Sequence, residues 1–413
     1  MMDKQKAYIL GCDYIGLAMI QELGRHSIPV RSFDNEFDIG SCSRYGEFAF
    51  CPDPAVSESD FIDFLINQCR LEDEKPIIFP VTDLWSSALA KHKDQISKVA
   101  IPCVADWETL LLLIDKREFS KWGMKEGFPV PRGWSFDEIL SAKDVDYPVM
   151  AKPITHRKSS DDPDNVQEIK EADKFRIRLL SSKEELLQYA KSFNNFVSRF
   201  FFQEYVPGLS NLMYSVGVYA DQSSKVRAVF TGRKVRGYPA EYGDCMVGQV
   251  DQIEESVIDM VAEICRKIKL TGMGEFEFKS HPETEKKYLI EINPGGWTWI
   301  NISPFCDVSV PFIAYQDLCG VPIPEITRTT KSPGEVKHVR ILYDLPNCLY
   351  KYKKDGHPEW SMGIFQWLES IQAKRIIFAE FTWDDLKPFL FAVIVKIKTF
   401  FKIRFGKEDN QIA

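Results

Sequence analysis

In the opening part of the chain, short apolar runs alternate with stretches in which apolar residues recur every third or fourth position. Residues 7–10 (AYIL) read as a short buried strand, 11–16 as a glycine-bounded turn, and 17–24 as a segment of helical periodicity. A second strand, 29–33, ends at Asp34; a helix over 59–69, a strand over 77–81 and a helix over 84–91 follow. Alternation of this kind predicts a parallel sheet flanked by helices.

Beyond a linker-like IPCVADW, helical spacing returns over 108–127, with Asp115 and Lys116 inside it. The strand 148–153 (PVMAKP) carries Lys152 amid apolar neighbours. A buried ammonium needs an anionic partner or a shifted pKa, so Lys152 is paired, faces a ligand, or sits on an edge toward solvent. Residues 155–174 are polar and acid-rich and read as a mobile loop. A helix over 183–193 and a strand over 200–203 lead to Glu204, Tyr205 and Val206. Residues 213–220 and 226–231 read as a hairpin pair running into GRKVRGYPAEYG, where Arg233, Lys234 and Arg236 crowd together. Guanidinium groups bind carboxylate or phosphate bidentately; a solvated charge run is the plainer alternative.

The segments GEFEFK (274–279) and YLIEINPGG (288–296) flank a polar connection. Alternate side chains of a strand share a face, so Glu291 and Asn293 point one way while Ile290 and Ile292 enter a core. With the hairpin centred near Thr284, Glu277 lies across from Glu291. Like charges directly opposite are destabilising. A cation resolves the conflict, since Mg²⁺ takes one or two carboxylates and completes its shell with waters and substrate phosphates. An ordinary solvated hairpin face is the alternative.

The 413 residues, 45% of them hydrophobic, predict a globular chain of two or three domains. A net charge of -8 provides no broad basic field and sets nucleic acid aside as a main partner. The ten cysteines are scattered singly, as in reduced thiols of a cytoplasmic protein. The start lacks the pattern of a secretory signal, and no apolar run is long enough to span a bilayer. The turn GCDYIG with Asp34 is superficially like a dinucleotide fingerprint, but Asp13 stands where the middle glycine belongs. Thr82 and Asp83, at a strand's carboxyl end, are either ligand residues or caps of the next helix. The last helix candidate, LKPFLFAVIVKIKTFFKIRFGK, carries Lys396, Lys398, Lys402, Arg404 and Lys407 on more than one face. It suits peripheral contact with a membrane surface, packing on the protein itself, or packing on a second subunit. Oligomeric state is open, with a homodimer the commonest arrangement.

Taken in order, DK (115–116), MAKP (150–153), QEYVPG (203–208), GRKVRGYP (232–239), GEFEF (274–278) and EINPG (291–295) resemble the ATP-grasp superfamily, in particular its carboxylate-amine ligases. The resemblance covers about residues 1–330. It implies an α/β fold with an N-terminal parallel-sheet (pre-ATP-grasp) domain over 1–110. An ATP-grasp domain over 111–330 would follow, with a mobile lid subdomain at about 148–206, and then a C-terminal extension with a terminal helix over 331–413. It further implies ATP and Mg²⁺, or alternatively Mn²⁺, as cofactors. Lys116 and Lys152 would meet the phosphates or the nearby nucleotide edge; Gln203, Glu204, Tyr205 and Val206 would form the adenine hinge; Asn211 would lie near the ribose. Glu277, Glu291 and Asn293 match the metal ligands.

The implied reaction transfers the γ-phosphoryl group of ATP to a small carboxylic acid, and an amine then attacks the acylphosphate. Arg233, Lys234 and Arg236 would add electrostatic stabilisation, with Arg233 or Arg236 holding the acid. A thiol or hydroxyl acceptor, simple phosphorylation, or nucleotide binding without catalysis are the alternatives. Two departures stand out. His156 to Ser160 replace the glycines usual in the phosphate loop, and Gly295 stands where many such ligases have arginine.

Overall fold

The computed structural model describes residues 4–154, 177–192 and 199–405, and they build three sheets. The loop expected over 155–174, and Lys407, lie outside the described residues. The first sheet contains β1 (Ala7–Leu10), β2 (Val30–Asp34), β3 (Glu47–Phe50), β4 (Ile77–Pro80) and β5 (Ile101–Pro102) in the order β3-β2-β1-β4-β5, all parallel. β1 and β4 are buried at every position because helices cover the sheet, which is why they read as unbroken apolar runs. The turn after β1 is closed by the chain's own acids. Asp13 caps the helix Tyr14–Arg25 by accepting from the amides of Ile15 and Gly16, and Asp34 accepts from Cys12 N at 2.6 Å. Carboxylates thus take amides that a pyrophosphate would need.

A second, antiparallel sheet is formed by β6 (Gly133–Trp134), β7 (Val149–Pro153), β8 (Arg178–Leu180) and β9 (Phe200–Glu204), ordered β6-β9-β7-β8. Val149, Ala151, Phe200 and Phe202 pack with Leu186 and Tyr189 of the helix Lys183–Lys191 in a small core of its own.

The large sheet comprises β10 (Met213–Ala220), β11 (Val226–Tyr238), β12 (Asp244–Val250), β13 (Gly272–Ser280), β14 (Lys287–Pro294), β16 (Val336–Val339) and β17 (Arg375–Phe378), with β15 (Thr327–Arg328) beside β11. Its order is β14-β13-β10-β11-β12-β16-β17. The segment after residue 331 therefore extends this sheet, β16 pairing antiparallel with β12 and β17 parallel with β16. On the outer face Val216, Val218, Phe276 and Phe278 pack against Val257, Val261 and Ile264 of the amphipathic helix Glu255–Ile268. The opposite face turns toward the first sheet. There Gly232 and Gly248 leave room for the Trp299 indole; a Cβ on either would lie within 2.7 Å of it.

The terminal helix Lys387–Phe405 docks Ala392 beside Leu17 and Ile39, while Leu390, Ile394 and Ile397 stay more than half exposed. No helix among the described residues is long and apolar enough to cross a membrane.

Candidate active site

A cleft of about 430 Å³ opens between the large sheet and the carboxyl end of β4. β13 and β14 supply its acids. Their register sets Glu277 directly across from Glu291, as the alternation of the two strands predicts. Glu275, Glu277, Glu291 and Asn293 all line the cleft. A bulge follows Glu277, so that Phe278 pairs with Leu289. Leu289 and Ile292 are the core residues of β14, and Ile290 lines a pocket, against the expectation that it is buried in the core.

The acids outnumber the cations. Lys234 Nζ lies 2.9 Å from Glu277 Oε1 and donates to Gly243 O at 3.2 Å. Glu275 accepts from Trp299 Nε1 at 3.1 Å and from Asn293 Nδ2 at 3.2 Å. Burial pushes the Glu277 carboxyl up to about 8 against the pull of Lys234, and Glu275 and Glu291 push it further the same way. Among the described residues no three His, Cys, Asp or Glu side chains gather into a metal cage. Two carboxylates facing each other beside an amide oxygen are instead the partial donor set that Mg²⁺ uses when phosphates complete its shell.

Glu277 and Glu291 also border a second, narrow pocket between the large sheet and the sheet β6-β9-β7-β8. Lys152, Gln203, Glu204 and Val206 line it, together with Lys279 and Tyr242. Lys152 is 5% exposed and donates to Gln203 Oε1 at 2.9 Å; burial pulls its ammonium down to about 8. Lys116, half-buried at the start of the helix Lys116–Lys125, adds to that depression electrostatically. Glu204 accepts from Arg132 N at 3.2 Å. Tyr205 lies next to the pocket, its ring 5.0 Å from the Lys279 ammonium. Asn211 is not drawn into the lining; its carbonyl accepts from Arg233 Nη1 at 3.0 Å.

The cation cluster divides. Of its three members only Lys234 lines the cleft. Arg233 lies on the opposite face of β11 and pairs with Asp251 at 2.7 Å. A bulge between Lys234 and Arg236 sets Arg236 across from Val247, which belongs to the outer core. Its guanidinium there makes a buried pair with Asp344, so the expectation that Arg233 or Arg236 holds the acid fails on geometry.

Sequence reasoning overlooked Lys279, although it shares the Glu277 face two residues on. It is 4% exposed, donates to Glu241 O at 2.9 Å, and its ammonium is pulled down to about 7 by burial and by Lys152. Trp299 and Glu275 were also missed. Thr82 and Asp83 do line the cleft, and Thr82 makes no side-chain capping bond. Gly295 adopts φ +104°, a conformation that disfavours an arginine at that position.

No family model matches the chain. It is 23% identical over 233 residues to a D-aspartate ligase from Enterococcus faecium (strain Aus0004), a match covering 54% of this chain and 53% of that enzyme. The chain thus spans about half the length of the curated relative it matches. Among solved structures it superimposes on N5-carboxyaminoimidazole synthetase from Staphylococcus aureus complexed with ADP, with a TM-score of 0.62 at 14% identity, over 86% of this chain and 87% of that one. An L-amino acid ligase from Bacillus licheniformis gives a TM-score of 0.56 at 14% identity, over 77% and 75%. The chain thus shares the ATP-grasp fold of these solved structures.

Proposed function

We propose that this chain is an ATP- and Mg²⁺-dependent ligase that activates a small carboxylic acid as its acylphosphate and joins it to an amine. The carrying observation is that Glu277 and Glu291 border both the cleft and the narrow pocket, so one carboxylate pair stands where a nucleotide and a second substrate would meet. MgATP, when bound, would supply the transferable phosphoryl group and neutralise charge in the in-line transfer. Glu277, Glu291 and Asn293 would hold the metal, and Gln203, Glu204 and Val206 the adenine end.

Each remaining residue has a task of its own. Lys152 and Lys279 place two ammonium groups in the narrow pocket, suited to phosphate oxygens. Lys234 neutralises Glu277 at rest and would be freed to face the transferring group once a metal takes the carboxylate. The pocket holds only about 50 Å³, so a nucleotide would require the sheet β6-β9-β7-β8 to swing outward and then close over it. Closure would exclude water, which otherwise hydrolyses an acylphosphate. The cleft's acidic lining, with Asp83 and Asp244 beside the three glutamates, suits an amine acceptor.

The similarity to a D-aspartate ligase supports the amide-forming reading and suggests the first acids to try. The deciding experiment is an acid-by-amine panel, D- and L-aspartate included, scored for ADP release and for the condensed product by mass spectrometry. ADP release that needs an acid alone and yields a phosphorylated acid would make the chain a kinase. Strict dependence on both substrates, with amide formed, supports the proposal.

A further inference from the structure

The terminal helix Lys387–Phe405 carries an apolar stripe that faces away from the rest of the fold. At 3.6 residues per turn, Leu390, Ile394, Ile397 and Phe401 fall within an arc of about 60°. Each is between 51% and 57% exposed. Ala392 and Lys396 face the other way: Ala392 is buried beside Leu17 and Ile39, and the Lys396 ammonium lies 3.3 Å from the Tyr343 ring centroid. At the start of the helix the Leu386 carbonyl accepts from Leu390 N at 3.2 Å, and Trp383, three residues earlier, is 84% exposed. The apolar surface also continues off the helix. Phe391 meets the Phe37 ring at 5.5 Å, Phe37 meets Phe48 at 5.3 Å and Phe48 meets Phe50 at 4.9 Å, with Phe37 and Phe50 both exposed. Contiguous apolar surface of this kind on a folded chain marks an interaction site.

Charge decides what covers this surface. The segment Lys387–Phe405 contains no Asp or Glu. Lys387, Lys398 and Lys402 are exposed and, by the same helical count, line one flank of the stripe, about 50–110° from its centre. Among the described residues none of the three has an ion pair. A second copy of the chain seated on the stripe would bring two lysine rows together with no acid to offset them, which disfavours self-association. An anionic bilayer satisfies both parts, since the stripe enters the acyl boundary while the lysine stems reach back to the headgroups. Trp383 suits the same boundary, its ring apolar and its N–H free to stay wet. The helix is too short of apolar residues to cross a membrane, so it lies along the surface.

We propose that the stripe and its lysine flank seat this protein on an anionic phospholipid bilayer, with the helix Lys387–Phe405 lying in the plane of the membrane. The occupant is the headgroup layer itself rather than a protein. Leu17, against which Ala392 packs, belongs to the same helix as the cleft-lining Ile15. Lipid contact would therefore hold the cleft at a set orientation to the bilayer. The inference does not depend on the ligase reading.

The test is flotation of the full chain with vesicles of phosphatidylcholine alone and of phosphatidylcholine with about one third phosphatidylglycerol, at about 0.1 M salt. The wild type should bind the anionic vesicles far better than the neutral ones. Ile394→Gln combined with Ile397→Gln should lose most of the binding. Lys387→Gln, Lys398→Gln and Lys402→Gln together should weaken it about a hundredfold, from roughly fivefold for each lysine. Both variants should keep the wild-type midpoint in urea, because the altered side chains are exposed. No binding of the wild type to anionic vesicles, or full binding by the isoleucine variant, overturns the proposal. A wild-type dimer in analytical ultracentrifugation that the isoleucine variant splits, joined to no vesicle binding, would give the stripe to a second copy and overturn it likewise. If the isoleucine variant fails to fold, the lysine variant still judges the proposal, and unchanged affinity there overturns it.

Discussion

Removing the Arg236 side chain tests which way the β11 bulge turns it. Nε and Nη2 lie 3.0 and 2.6 Å from the two oxygens of Asp344, and Trp367 Nε1 donates to the same carboxylate at 2.7 Å. The two side chains are 4% and 0% exposed. In Arg236→Ala the Asp344 carboxylate stays buried in the outer core with Trp367 as its remaining side-chain donor. Breaking a buried pair from one side costs about 3–5 kcal/mol, against a total stability of about 5–15 kcal/mol for a folded domain. Urea unfolding followed by tryptophan fluorescence should therefore show a much lower midpoint for Arg236→Ala. Arg236→Met with Asp344→Leu should restore most of the loss, because no unpaired charge then remains. MgADP affinity of the folded variants should stay within a few fold of wild type, the pair being on the far face from the cleft. A wild-type midpoint in Arg236→Ala, joined to loss of acid-dependent ADP release, would refute the reasoning and return Arg236 to the substrate.

Glu291→Gln should abolish Mg²⁺-dependent ADP release with the fold intact by circular dichroism; near-normal turnover would remove the metal assignment. Lys152→Ala and Lys279→Met should each weaken MgADP about tenfold or more in calorimetry while leaving adenosine affinity unchanged, since the ammonium groups would face phosphates. Equal losses for adenosine would point to a packing role instead. His338 is fully buried, and burial, aided by Arg340, lowers its imidazole from 6.5 to about 3. The unfolded chain therefore takes a proton below pH 6.5 that the folded chain refuses, so stability is complete above 6.5 and falls as pH drops toward 3. Between pH 6.5 and 4.5 this amounts to about 2–3 kcal/mol. His338→Gln should flatten that stretch of the stability curve, and an unchanged slope would show that other groups carry it.

The parts of the fold legible in the sequence were those decided by neighbours along the chain. The parallel sheet announced itself because β1 and β4 are covered on both faces and so carry unbroken apolar runs. The pairing of Glu277 with Glu291 was legible because a short hairpin connection fixes register. The same alternation would have placed Lys279 beside Glu277, but nothing local shows that the sheet β6-β9-β7-β8 comes to lie over it.

Reasoning by alternation failed at the bulges. Each inserts a residue that breaks the alternation between the stretches on its two sides, and neither leaves a mark in composition. In KVR, strict alternation sends Lys234 and Arg236 into the cleft together; the bulge divides them and frees Arg236 to tie β11 to Asp344, 108 positions away. In YLIEIN, the bulge moves Ile290 from core to pocket while Glu291 and Asn293 keep the cleft face. Arg340 was invisible for a different reason. It lies in no motif, and its buried, unpartnered Nε is revealed only by a count of hydrogen-bond partners in three dimensions. Contacts fixed by local spacing, such as Glu277 opposite Glu291, are thus legible in the sequence, whereas those around β16 are not, because the place of that strand in the large sheet depends on pairing with distant β12.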